Sequence, residues 1–337
     1  MKTKKIAVFG AGAWGTALAV AMARGKNHVT LFPSFAEESN ELNADRENKK
    51  YLPDIALPES LQVSVDYALL SDMDIILWVV PAQYSRTMGL KIQEFISPHT
   101  VIVICSKGID CTISPVTKDS LLTSVLGKIF QTNPLAVLSG PNFAIEVAKG
   151  LPAAATLASS SVCIIEDLAK SLRTPSLRIY TSDDPIGVQV GGAVKNVLAI
   201  ASGIVVARQM GNNINAAFIT RGLAEMRRLG VALGGKSETF LGLSAVGDLI
   251  LTCSSLQSRN MALGLALGDG KSLKEIMDSR HTVAEGVYTA EAVHHLAALK
   301  NVRMPICQAV YDILYQGKAV DDAIQSLLLN QSEWEND

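Results

Sequence analysis

The chain has 337 residues, 48% hydrophobic and 18% charged, with a formal net charge of −2. That length suits two domains or one large one with an ample core, the balance is globular, and the charge offers nucleic acid or an anionic membrane no electrostatic footprint. Five cysteines (Cys105, Cys111, Cys163, Cys253 and Cys307), without Cys-x-x-Cys spacing, read as reduced thiols of a cytoplasmic protein, not as a disulfide frame or zinc site.

Near-continuous apolar runs KIAVFG (5–10), HVTLF (28–32), DIILWVV (74–80), TVIVICSKG (100–108) and LAVLSGP (135–141) predict parallel strands covered on both faces. Helical stretches between them include 16–24 and 85–95. The alternation predicts a doubly wound α/β sheet. AAATLAS (153–159) and LRIYTS (177–182), with a helix between, add strands at an edge. The first 23 residues also trace a signal-peptide outline, but three glycines at a dinucleotide-binding spacing interrupt it. A strand–turn–helix accounts for every residue there.

After about Pro185 the strand-like runs stop. Alanine, leucine, glycine and methionine at helical spacing predict helices near 186–208, 214–233, 259–267, 287–299 and 305–315. The expected division is a dinucleotide-binding domain over 1–188, a helical substrate domain over 189–330 and a polar tail over 331–337. Residues 188–207 are long enough to span a bilayer, but Lys195 and Asn196 lie inside the segment, where a charge is costly. A buried helix of a soluble protein is expected, with no membrane span.

Gly10, Gly12 and Gly15 fit G-x-G-x-x-G between a strand and a helix. Glycines there permit a tight turn, close approach of backbone to a pyrophosphate and close helix–strand packing. The helix N-terminus adds N–H groups and the positive end of its dipole. At the end of the second strand an acid would favour NAD and a base would admit NADP. Pro33 and Ser34 are neither, and Glu37 and Glu38 read as a solvated helix start. The choice between NAD and NADP stays open.

Lys195 in GGAVKNVLAI (191–200) has two readings. Its stem is buried and its head snorkels to the surface, or it is a catalytic lysine tuned by burial. Lys107 in SKG closes a strand and is a candidate cleft cation or a loop lysine. Asp248 is a lone acid in an apolar stretch, and its bland reading is a helix N-cap. Arg259 and Asn260 at a helix start suit a phosphate, or Arg259 is a surface arginine.

Taken together, GAGAWGTALA, SKG, SGPNFAIEV, GGAVKNVLAI, ITRGLAEMRRLG, GLSAVGDLILTC, SRN and VAEGVYT, in this order over nearly the whole chain, resemble the bacterial NAD(P)-dependent glycerol-3-phosphate dehydrogenases. The resemblance implies a Rossmann-like domain followed by an all-α domain, in a 6-phosphogluconate dehydrogenase-like arrangement. It implies interconversion of dihydroxyacetone phosphate and sn-glycerol 3-phosphate, for phospholipid synthesis, with NAD or NADP. It makes Lys195 the general acid/base. Lys107, Gly140, Asn142, Lys195, Asp248, Ser258, Arg259 and Asn260 would line the substrate site. Gly10, Gly12, Ala13, Trp14, Gly15, Ser34, Lys107, Ala144, Arg259, Val283 and Glu285 would line the cofactor site. No metal is implied, the partner is a small phosphate substrate, and a homodimer is open. Ala13, Ser34 and Asn142 depart from the family pattern, where serine, a basic residue, and serine or threonine are usual. Two other readings remain: a related two-domain dehydrogenase of a hydroxy acid or ketopantoate, and a non-catalytic dinucleotide sensor.

Overall fold

The computed structural model describes residues 3–278 and 284–329, apart from the side chain of Val162. The fold resolves into two compact units. One comprises the described residues through Ser106 together with Leu122–Pro185; the other comprises Lys107–Leu121 and the described residues from Ile186. The excursion 107–121 therefore differs from the contiguous division expected near 188. Ile109, Val116 and Leu121 are buried in the second unit's core. The expected tail 331–337 lies outside the described residues.

The first unit contains β1 (Lys5–Phe9), α1 (Ala13–Arg24), β2 (His28–Phe32), α2 (Ala36–Asp45), β3 (Glu47–Asn48), β4 (Leu52–Ala56), β5 (Leu61–Val63), β6 (Ile75–Trp78), α3 (Ala82–Ile92), β7 (Val101–Ile104), α4 (Leu122–Ile129), β8 (Leu135–Ser139), α5 (Ala144–Lys149), β9 (Ala153–Ala158), α6 (Val162–Leu172) and β10 (Leu177–Ser182). Eight strands form one sheet in the order β10-β9-β8-β7-β6-β1-β2-β5. From β8 to β5 every pairing is parallel. Both faces of β1 and β6 at the centre are covered, which explains why Ile6–Phe9 and Ile75–Trp78 are apolar without alternation. β9 pairs antiparallel with β8, whereas β10 returns parallel to β9 through α6. The two edge strands expected from the sequence are thus present, with a reversed direction that composition does not encode. The order of strands changes direction between β1 and β6, the switch point at whose carboxyl ends such sheets bind ligands.

The second unit contains α7 (Pro185–Ala207), α8 (Asn212–Ala232), α9 (Asp248–Cys253), α10 (Arg259–Gly268), α11 (Leu273–Asp278), α12 (Glu285–Lys300), α13 (Pro305–Tyr315) and α14 (Val320–Leu329). The five long helices expected here are present, while α9, α11 and α14 have no counterpart in the sequence reading. α7 is long and apolar enough to cross a membrane by length and composition, yet 89% of its most apolar window is buried within the protein. It is a core helix, and its small residues permit close packing. A Cβ on Gly203 would lie 2.2 Å from the Met261 carbonyl oxygen, and one on Gly264 would lie 1.8 Å from that of Ile200. Glycine on both sides is what lets α7 and α10 touch backbone to backbone.

Candidate active site

In the first unit the glycine turn follows β1 at the switch point. Gly10 has φ +115°, a left-handed conformation, and a Cβ there would lie 2.9 Å from the Val79 carbonyl oxygen. A Cβ on Gly15 would lie 1.8 Å from the Gly10 carbonyl oxygen. These two glycines are demanded by the chain itself. Gly12 is different, because a Cβ there would meet nothing within 4 Å. The open space lies at the N-cap of α1, where no side chain caps the helix, so a phosphate has room to approach the first-turn N–H groups. Ala13 and Trp14 occupy that first turn, and Trp14 Nε1 is buried without a hydrogen-bond partner. The residues present fit a dinucleotide.

Asn48, which no local sequence signal marks, reaches back to this turn. Its Nδ2 donates to the Ala11 carbonyl oxygen at 2.8 Å and to Thr16 Oγ1 at 2.7 Å. At the end of β2, Ser34 is exposed, and Glu37 and Glu38 sit in the first turn of α2 as expected. Gly140 follows β8, and a Cβ on it would lie 2.9 Å from the Ala154 carbonyl oxygen. Asn142 Nδ2 donates to that same oxygen at 3.1 Å, while Asn142 Oδ1 is buried and accepts nothing. Ala144 opens α5.

In the second unit, Lys195, Asp248 and Lys107 form one cluster. Lys195 Nζ donates to Asp248 Oδ1 at 2.7 Å and to Thr252 Oγ1 at 2.8 Å. Lys107 Nζ donates to Asp248 Oδ2 at 2.6 Å. Lys195 is only 8% exposed and Asp248 1%, so the head of Lys195 does not snorkel to water. Asp248 is not an N-cap either, because Gly247 precedes α9 in helical conformation and the Asp248 carboxylate binds the two ammonium groups. A wide π-type turn, Leu243–Gly247, delivers Asp248 into place. It packs so closely on α7 that a Cβ on Gly191 would lie 2.7 Å from the Ser244 carbonyl oxygen. Burial pushes the Lys195 ammonium down to about 8; Asp248 opposes this and the neighbouring Lys107 adds to it.

A chain of amides fixes the surrounding elements. Asn196 Nδ2 donates to the Lys107 carbonyl oxygen at 2.9 Å, and Asn260 Nδ2 donates to Asn196 Oδ1 at 2.9 Å. The Gly286 N–H closes the chain by donating to Asn260 Oδ1 at 3.0 Å. Asn260 is thereby a strut between helices. Ser258 caps α10 by accepting from the Met261 N–H at 3.2 Å. Arg259, next in line, sits in the first turn of α10; desolvation pulls its guanidinium below the ordinary arginine value, and Glu285 at the start of α12 opposes this. Val283 lies outside the described residues. Thr252 is absent from the sequence reading, although its position one helical turn after Asp248 was a usable signal. No cluster of three or more metal-ligating side chains occurs among the described residues.

Residues 5–163 match the family model for the N-terminus of NAD-dependent glycerol-3-phosphate dehydrogenase, and residues 184–325 match the model for its C-terminus. The glycerol-3-phosphate dehydrogenase [NAD(P)+] of Parvibaculum lavamentivorans is 46% identical over 325 residues, covering 96% of each chain. Among solved structures, glycerol-3-phosphate dehydrogenase from Coxiella burnetii superimposes with a TM-score of 0.92 at 40% identity, over 97% of this chain and 99% of that one. The yeast enzyme from Saccharomyces cerevisiae gives a TM-score of 0.80 at 26% identity, over 96% and 99%. With two family models meeting nearly end to end along it, this chain belongs to the NAD-dependent glycerol-3-phosphate dehydrogenase family.

Proposed function

We propose that the protein interconverts dihydroxyacetone phosphate and sn-glycerol 3-phosphate with NAD or NADP. The observation that carries the reading is the buried Lys195, hydrogen-bonded to Asp248 and brought to about 8. A bound nicotinamide supplies a hydride to the ketone carbon, or accepts one in reverse. The protein's share is the proton and the orientation. Lys195 Nζ, as ammonium, gives a proton to the substrate oxygen, and as amine it takes one back. Of its three N–H bonds, Asp248 and Thr252 receive two, which leaves one for the substrate. Asp248 orients both ammonium groups, and Lys107 adds positive charge beside an oxygen that gains negative charge as it reacts. With Lys195 charged, the three groups sum to +1, which suits an anionic substrate.

Arg259 is the residue assigned to the substrate phosphate, with Ser258 and Asn260 shaping its helix start. Gly10, Gly12 and Gly15 with Ala13 and Trp14 would hold the pyrophosphate, and Ser34 the adenosine ribose. Gly140, Asn142 and Ala144 of the first unit complete the set, as do Lys107 and Glu285 of the second. The five free thiols fit a reducing, cytoplasmic compartment. A homodimer is the assembly that light scattering would check.

The test is oxidation of NADH and of NADPH with dihydroxyacetone phosphate, followed by absorbance, with ketopantoate and a 2-oxo acid as competing substrates. Turnover only with the phosphate is expected. Turnover with a carboxylate substrate instead would move the chain to the hydroxy-acid reading, and dinucleotide binding without any turnover would make it a sensor.

A further inference from the structure

We propose that Asn48 is a positioning residue for the dinucleotide: it locks the Ala11–Gly12 peptide so that the Gly12 N–H faces the phosphates. The inference rests on the glycine turn being the dinucleotide site. The Ala11 carbonyl is not part of the α1 ladder, whose first acceptor is the Gly12 oxygen, bonded to the Thr16 N–H at 2.9 Å. Ala11 is buried, so its carbonyl must find a partner inside the protein. Asn48 Nδ2 supplies it at 2.8 Å, while Thr16 Oγ1 contributes a longer bond of 3.3 Å.

A trans peptide places C=O and N–H on opposite sides of one plane. Turning the Ala11 oxygen toward Asn48 therefore turns the Gly12 N–H away from it. The Asn48 amide has one orientation, because Nδ2 serves two oxygens and Oδ1 accepts from the Tyr51 N–H at 3.2 Å. Asn48 is only 4% exposed and lies on β3, in a two-stranded ribbon apart from the main sheet. The segment between β2 and β5 thus has a task beyond connection: it holds the glycine turn in its binding shape before the dinucleotide arrives.

The experiment titrates NADH fluorescence on wild type, Asn48→Ala, Asn48→Asp and Thr16→Val, with thermal melts and steady-state kinetics beside it. Asp keeps the size and the bond from Tyr51 but cannot donate when ionised. We expect NADH Kd to rise about tenfold for Asn48→Ala and more for Asn48→Asp. Thr16→Val removes the weaker bond and should raise Kd about threefold. KM for NADH should follow Kd, while kcat at saturating NADH stays within about twofold. Folded Asn48 variants that bind NADH within twofold of wild type overturn the proposal. So does a fall in kcat with both KM values unchanged, in step with lower melting temperature. Should the Asn48 variants fail to fold, an unchanged Kd for Thr16→Val overturns it. A wild type that binds no dinucleotide defeats the reading of the turn itself, a result separate from any difference among variants.

Discussion

Residues 10–16 of the first unit carry much of their shape in near neighbours, Gly15 against Gly10 and the Thr16 N–H on the Gly12 oxygen, with Asn48 bracing the turn from outside. The lysine–aspartate cluster of the second unit is assembled otherwise. Lys107 and Asp248 stand 141 residues apart in sequence, and Lys195 and Asp248 stand 53 apart. In the proposed function the turn would bind with backbone, so its information is in residues that lack side chains. The cluster would act through side chains whose properties come from burial, because an ammonium in water would not fall to about 8. A site made of local backbone is written as a spacing, whereas a site made of buried charge is written in the packing.

The sharpest way to break that contrast is Lys195→Met, which retains the buried stem and removes the proton. We expect kcat to fall about 10²–10⁴-fold with the fold intact by circular dichroism. Retained activity would mean that the cluster is structural.

Ser34→Arg asks how much the turn leaves to a side chain. Ser34 is exposed and carries no charge, so the wild type should use both cofactors within about a hundredfold in kcat/KM. The variant should move toward NADPH by about 1.5–3 kcal/mol, the size of a charged hydrogen bond. A wild type with stronger discrimination assigns the ribose to another residue.

Gly15→Ala tests the backbone site directly, since the new methyl would lie 1.8 Å from the Gly10 oxygen. Overpacking of this kind costs about 1–3 kcal/mol, and it should appear in both NADH affinity and melting temperature. A variant with unchanged Kd and melting temperature would show that the turn tolerates a side chain.

The smallest effect is a pH slope. In the proposed function reduction requires the Lys195 ammonium, so its kcat/KM should hold below about 8 and then fall tenfold per unit above it. Oxidation requires the amine and should show the opposite limb. Stability carries a matching sign: between about 8 and the ordinary lysine value of 10.5 the unfolded chain binds more protons than the folded one. The protein should therefore gain stability as pH rises through that window. Asp248→Asn removes a group that raises Lys195, so the activity limb should move to lower pH.

The sequence by itself determined the parallel strands, because strands covered on both faces must be apolar throughout, as Ile6–Phe9 and Ile75–Trp78 are. It likewise determined the glycine turn and the long helices, whose signals are local in spacing. It named Lys195, Asp248, Lys107 and Arg259 as candidate chemistry-bearing residues and gave each a bland alternative. Only the tertiary structure brought three of them together, by placing both carboxylate oxygens of Asp248 on lysines and burying Lys195 to 8% exposure. It also decided the reversed β9, the transfer of 107–121 to the helical unit, the strut role of Asn260, and the contacts of Thr252 and Asn48. These depend on which distant segments meet, and the free energy of a buried hydrogen bond belongs to the pair of partners, whereas a sequence displays them one at a time.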